Sequence, residues 1–95
     1  MVILIRDIVD SCDSNAQGAS VRKVIDSNLK QGKAITLDFS DVFNVTSSFV
    51  NTAFVDLFDT YSVDQFKALV SLSNVNRQIG TLIKSRVAAA SVVAA

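Results

Sequence analysis

The sequence predicts an α/β fold: a small, mostly parallel β-sheet flanked by helices, in β-α-β-α-β-α order. Three observations predict it. The apolar runs Val2–Val9, Ala34–Phe39 and Ala68–Ser73 have the length of strands. Ser20–Gln31, Ser48–Thr60 and the stretch after Asn74 carry apolar residues at helical spacing. Strand and helix therefore alternate, which is the pattern of parallel neighbours joined by right-handed crossovers.

A chain of 95 residues is one domain, 1–95, with room for a single core. Its apolar fraction of 49% is enough to fill that core and excludes a disordered segment. Nine acidic and nine basic residues cancel, so no net field attracts nucleic acid or anionic lipid. The same neutrality gives weak colloidal repulsion, which leaves a homodimer or a standing protein partner open. The chain has no histidine, and Cys12 is its one cysteine. The usual general base, the commonest metal ligand, a disulfide and a cysteine-rich zinc site are thus all missing. No catalytic residue, cofactor or metal is expected. Met1–Arg6 has neither the basic n-region nor the length of a signal peptide, and no apolar run approaches the roughly 18 residues of a membrane span. The expected location is cytoplasmic.

Val2 to Ile5 are four consecutive apolar residues, which predicts a first strand covered on both faces. Asp10–Gly18 is polar and reads as a loop, with Cys12 in it as a tolerated residue lacking a cationic partner. The helix Ser20–Gln31 buries Val21, Val24, Ile25 and Leu29. Gly18 or Ser20 caps its start, and Gly32 suits the position after its end. Arg22 opposes the macrodipole there and is expected to pair with a carboxylate of its own fold. Ala34–Phe39 is the central strand. Asp38 at its end is expected to accept backbone N–H bonds in the Ser40–Asn44 turn, ahead of a Mg²⁺ site or an acid/base pair with Asp41.

The stretch Ile35–Phe58 organises the chain. It holds five of the six phenylalanines, Phe39, Phe43, Phe49, Phe54 and Phe58, and anchors the core through the stripe Phe49, Val50, Ala53, Phe54, Leu57 and Phe58. Thr46-Ser47-Ser48 puts three hydroxyls at the mouth of the helix, with Thr46 or Ser47 as N-cap. Val63–Lys67 is a short helical turn capped by Ser62. Asn74 caps the last helix, whose apolar face is Val75, Ile79, Leu82, Ile83 and Val87. Gly80 inside that helix costs about 1 kcal/mol unless close packing uses it. Residues 88–95 either continue the helix or fray as a tail. In open α/β sheets, sites gather beyond the carboxyl ends of the strands. That rule places Asp38, Asp41 and Ser47 on one rim, and Asp41, Asn44, Thr46, Ser47 and Ser48 are the candidate partner-binding residues there.

The run Gly32-Lys-Ala-Ile-Thr-Leu-Asp-Phe-Ser-Asp-Val42, then Val45-Thr-Ser-Ser-Phe49 and an aromatic-rich helix, resembles the STAS-like family of small bacterial and phage domains. That family is similar to the STAS domains of sulfate transporters and anti-sigma-factor antagonists. The resemblance covers Gly18 to Arg86. It implies a non-enzymatic protein-binding module, a regulatory switch acting on a histidine-kinase-type ATPase. In STAS antagonists the helix starts Asp-Ser-Ser-Gly, and a partner kinase phosphorylates the first serine. That serine falls on Ser47, while Thr46 stands at the Asp position and Phe49 at the Gly position. A competing reading is a phage-borne or accessory inhibitor that blocks a host complex by surface binding. An enzyme would have to work without histidine, a glycine-rich phosphate loop or a nucleophile elbow.

Overall fold

Strands β1 (Val2–Leu4), β2 (Ile35–Asp38) and β3 (Val70–Ser73) form a parallel sheet in the order β1-β2-β3. The computed structural model describes residues 1–94. Within them the helices are α1 (Ile5–Ile8), α2 (Asn15–Lys30), α3 (Ser47–Ala53), α4 (Val63–Leu69) and α5 (Arg77–Ala94), with a 3₁₀ helix at Val55–Asp59. The α/β fold and the central place of β2 agree with the alternation in the sequence.

Val2, Thr36 and Ser71 stand side by side in register, and so do Ile3, Leu37 and Leu72. Side chains alternate across the sheet. One side buries Ile35, Leu37 and Val70 under helices; on the other, Val2 is 64% and Leu4 39% exposed. The expectation that the first strand is covered on both faces is therefore corrected. The reason is topological: both crossovers step to the next strand in the same direction, and crossovers of one hand then lay their helices on one face.

Local boundaries moved for local reasons. The first strand ends at Leu4 rather than Val9, because Ile5, Ile8 and Val9 are spaced as a helical turn, and Ile5 and Val9 point inward from it. Helix α2 starts at Asn15, five residues before the expected Ser20. Ser14 is its N-cap, its Oγ accepting from the Gln17 N–H at 3.3 Å, and Gly18 lies inside the helix. At its other end Gly32, with φ +69°, closes a Schellman motif. Its N–H donates to the Leu29 carbonyl and that of Lys33 to the Asn28 carbonyl, both at 3.0 Å.

The helix expected over Ser48–Thr60 tightens after Ala53 into the 3₁₀ helix, with Leu57 N–H donating to the Phe54 carbonyl at 3.1 Å. Its stripe is buried at Phe49, Val50, Ala53, Phe54 and Leu57, and Phe58 packs at the margin. Phe43 is the exception among the five phenylalanines expected to anchor the core: it is 76% exposed. Arg22 pairs with Asp56 at 3.5 Å, an exposed pair contributing about 0–1 kcal/mol. Helix α4 starts with a capping box between Ser62 and Gln65.

Helix α5 is capped by Asn76, not by Asn74: Asn76 Oδ1 accepts from the Ile79 N–H at 2.9 Å. The helix buries Ile79, Ile83 and Val87 and continues through the alanine-rich segment to Ala94, while Ala95 lies outside the described residues. No helix among the described residues is long and apolar enough to cross a membrane. A Cβ on Gly80 would meet only Val75 Cγ2, at an ordinary 3.7 Å. Gly80→Ala is therefore expected to stabilise the domain by about 1 kcal/mol and raise the melting midpoint by about 4–8 °C. A midpoint that does not rise in a thermal melt would show that α5 needs the glycine for another contact.

Candidate functional site

The carboxyl ends of the strands are tied into one rim by side chains that bridge loops. Phe39, the residue after β2, donates its N–H to the Ser73 carbonyl at 3.0 Å. Asp38 ends β2, and its Oδ1 accepts from the Ser40 hydroxyl at 2.6 Å, the Ser40 N–H at 2.8 Å and Asn74 Nδ2 at 2.9 Å. The Ser40 hydroxyl, then Asn74, then the Ser40 N–H hold its carboxyl below the usual aspartate range. Asp38 therefore does the turn-forming work expected of it. Asn74 also donates to Ser40 Oγ at 3.1 Å, and its φ of +55° lets it reach across from the β3–α5 connection.

Asp41 follows at φ +64°, the left-handed residue of a turn that the Val42 N–H closes onto the Phe39 carbonyl at 3.0 Å. Its side chain is exposed, as are those of Phe43 and Asn44. Two residues of the β3–α5 junction hold this loop from the other side. Asn76 Nδ2 donates to the Phe43 carbonyl at 2.7 Å. Gln78 donates to the Val45 carbonyl at 3.1 Å and accepts from the Val45 N–H at 3.3 Å, so one side chain serves as a strand partner.

The hydroxyl run divides its labour. Thr46 is the N-cap of α3: its Oγ1 accepts from the Phe49 N–H at 3.2 Å, while its own N–H donates to the Cys12 carbonyl at 3.0 Å. Ser47 is left out of capping. Its Oγ accepts from Arg86 Nη2 at 3.0 Å, an arm reaching over from α5. Ser48 is exposed. Arg86 also lines a cleft of about 440 Å³ with Asn51, Val55, Phe58 and Asp59. The Cys12 thiol is buried, and burial, reinforced by Asp13 and opposed by Arg6, pushes it up to about 11, which makes it unreactive.

Asp41 and Asn44 thus lie in the loop between β2 and α3, with Thr46, Ser47 and Ser48 at the start of α3. Sequence reasoning missed Phe43, Asn74, Asn76, Gln78 and Arg86 as partners of this rim. Phe43 carried a signal, an aromatic residue inside a polar turn. Arg86 carried none, since it lies off the apolar stripe of α5 like any solvated cation. Among the described residues, no three His, Cys, Asp or Glu side chains come together as a metal ligand set.

A family model for a STAS-like domain of unknown function (DUF4325) matches residues 17–79. The matched span runs from early α2 to the first turn of α5 and so contains the whole β2–α3 rim. No match was found among curated proteins or among solved structures.

Proposed function

This chain belongs to the family of STAS-like domains of unknown function, and from that premise we propose that it is a non-enzymatic protein-binding module whose Ser47 rim docks and regulates a kinase- or ATPase-type partner in the cytoplasm. The observation that carries the reading is the hydrogen bond from Arg86 Nη2 to Ser47 Oγ. Thr46 has taken over the capping, so the Ser47 hydroxyl is free of the helix and faces a guanidinium.

That arrangement suits a switch. A phosphate on Ser47 would add about −1.5 to −2 charges and three strong acceptors within reach of Arg86. A charge-assisted, bidentate pairing would replace a single hydroxyl bond. Arg86 would be drawn toward Ser47 and away from the cleft it lines with Asn51 and Asp59. The exposed groups beside it, Asp41, Asn44 and Ser48, would then present a more negative face. Affinity for a partner matched to the neutral rim falls, because like charges and desolvated phosphate oppose docking.

The test uses a partner captured from the native host, identified and purified, then titrated calorimetrically. Ser47→Asp is expected to weaken binding tenfold or more, about 1.4 kcal/mol. Ser47→Ala should bind as wild type, since Thr46 keeps the cap, yet be blind to the partner's kinase activity. Lys33→Glu, at the opposite end of the sheet, is the control. Equal affinities for wild type, Ser47→Asp and Lys33→Glu would remove the rim from the binding surface.

A further inference from the structure

Phe43 is tied to the carboxyl end of β3 through Asn76, three residues after that strand, which donates to the Phe43 carbonyl. Ser73 accepts from Phe39 N–H across to β2. In a parallel strand alternate residues bond to opposite neighbours, so Ser71 and Ser73 serve β2 and Leu72 turns its N–H and C=O outward. Among the described residues no strand pairs with that edge. At the amino end of β3, on the helix side, lies an apolar groove of about 410 Å³. Its floor is Phe66, Val70, Leu72, Ile83 and Val87, and Lys67 and Lys84 stand at its margin. At the carboxyl end of β3 stands Phe43, 76% exposed and fixed by the Asn76 bond to its carbonyl at 2.7 Å. Beside it, two residues earlier, is the exposed carboxylate of Asp41.

An aromatic knob flanked by an acid and an apolar groove flanked by two lysines thus occupy opposite ends of one unpaired strand. We propose that this edge binds a second copy of the chain, β3 against β3 in antiparallel pairing about a twofold axis at Leu72, with Phe43 of each copy seated in the other's groove. A twofold interface requires that each contact be reciprocated. Antiparallel pairing meets the requirement: with Leu72 opposite Leu72, the carboxyl end of each β3 lies along the amino end of its partner. Each Leu72 then exchanges both backbone bonds with the other, and the two sheets become one of six strands. Asp41 meets Lys67 and Lys84, so charge complementarity selects this register over a parallel one. A chain of zero net charge offers no long-range repulsion against it. The edge strand is short, but Val70 to Ser73 contains no charge and no proline to block pairing.

The interface is small, so association in the range of about 1–100 μM is expected. Sedimentation equilibrium of the purified chain reads it directly and needs no other partner, so it stands apart from the fate of the Ser47 proposal. Wild type should be a dimer at high concentration. Phe43→Ala should weaken association tenfold or more, and Lys67→Glu should weaken it as well. Lys33→Glu should leave it unchanged. Phe43 is exposed, so its removal leaves the fold intact, and circular dichroism melts of each variant verify this. In the dimer the Leu72 amide should become protected from hydrogen exchange as concentration rises. A wild type that stays monomeric to about 1 mM, or a dimer whose affinity Phe43→Ala does not change, overturns the proposal.

Discussion

Truncating Phe54 to alanine is expected to cost about 3–5 kcal/mol of stability. A domain of this size holds on the order of 5–15 kcal/mol in all, so the variant would be close to unfolding. Phe54 has no solvent exposure and lies at the junction of α3 and the 3₁₀ helix. Its ring meets that of Phe66 edge to face at 5.9 Å, and Phe66 meets Phe58 in the same way at 5.4 Å. The three rings join α4 to the segment before it. Deleting the Phe54 ring at one end of that series leaves a hole that the flanking elements close only in part, so the loss exceeds the transfer term alone. Phe54→Leu keeps most of the volume and should cost about 1–2 kcal/mol. The informative companion is Phe43→Ala, the same change at an exposed ring, which should stay within about 0.5 kcal/mol of wild type. Urea denaturation reads all three. A Phe54→Ala midpoint equal to that of wild type would mean that the ring is not in the core.

The contrast between these two phenylalanines marks what the sequence made legible. Phe54 belongs to a run with helical period, and periodicity encodes a buried face. Phe43 has no period around it, so counting it with the core rested on residue type alone, and residue type is a one-way guide to burial. The strands were legible for the reason Phe54 was. Their ends were not: Ile5, Ile8 and Val9 satisfy a strand's apolar demand and a helical turn's spacing equally well, and only packing decides between them. The bare face of the sheet could have been argued from topology, because two same-direction crossovers of one hand share a side. The apolar run Val2–Ile5 argued the other way.

The site was legible as a place and not as a network. Its place follows from a general rule about strand ends, and the hydroxyl run lies within it. The network is made by amides and a guanidinium contributed from 33 to 39 residues further along the chain, such as Gln78 to Val45 and Arg86 to Ser47. Nothing local distinguishes those residues from solvated polar groups. The division between Thr46 and Ser47 was likewise open in the sequence, since either hydroxyl suits an N-cap. The fold resolves it by tying the Thr46 N–H to the Cys12 carbonyl, which fixes the chain's entry into α3 one residue before Ser47.

Gly18 provides the second large effect, and its sign is opposite to that expected for Gly80. Both glycines lie inside helices, where alanine is favoured by about 1 kcal/mol. At Gly18, however, a Cβ would stand 2.8 Å from the Phe49 carbonyl oxygen, 2.9 Å from Thr52 Cβ and 3.3 Å from the Ala53 nitrogen. Two of those atoms are backbone of α3 and cannot rotate aside, so α2 and α3 must separate. Overpacking of this kind costs about 1–3 kcal/mol, and set against the helix gain of about 1 kcal/mol it leaves Gly18→Ala a net loss of up to about 2 kcal/mol. Gly18→Val adds two γ-carbons and a stiff χ1, and about 3 kcal/mol or more is expected. The separation would also stretch the bond from Thr52 Oγ1 to Asn15 Oδ1, now 3.1 Å. It would move the start of α3, so amide shifts at Ser47 should change in NMR spectra of Gly18→Ala and stay fixed in Gly80→Ala. Gly18→Ala melting at or above the wild-type midpoint would place α2 and α3 farther apart than they stand here. The support that this contact gives to the Ser47 rim would then be lost with it.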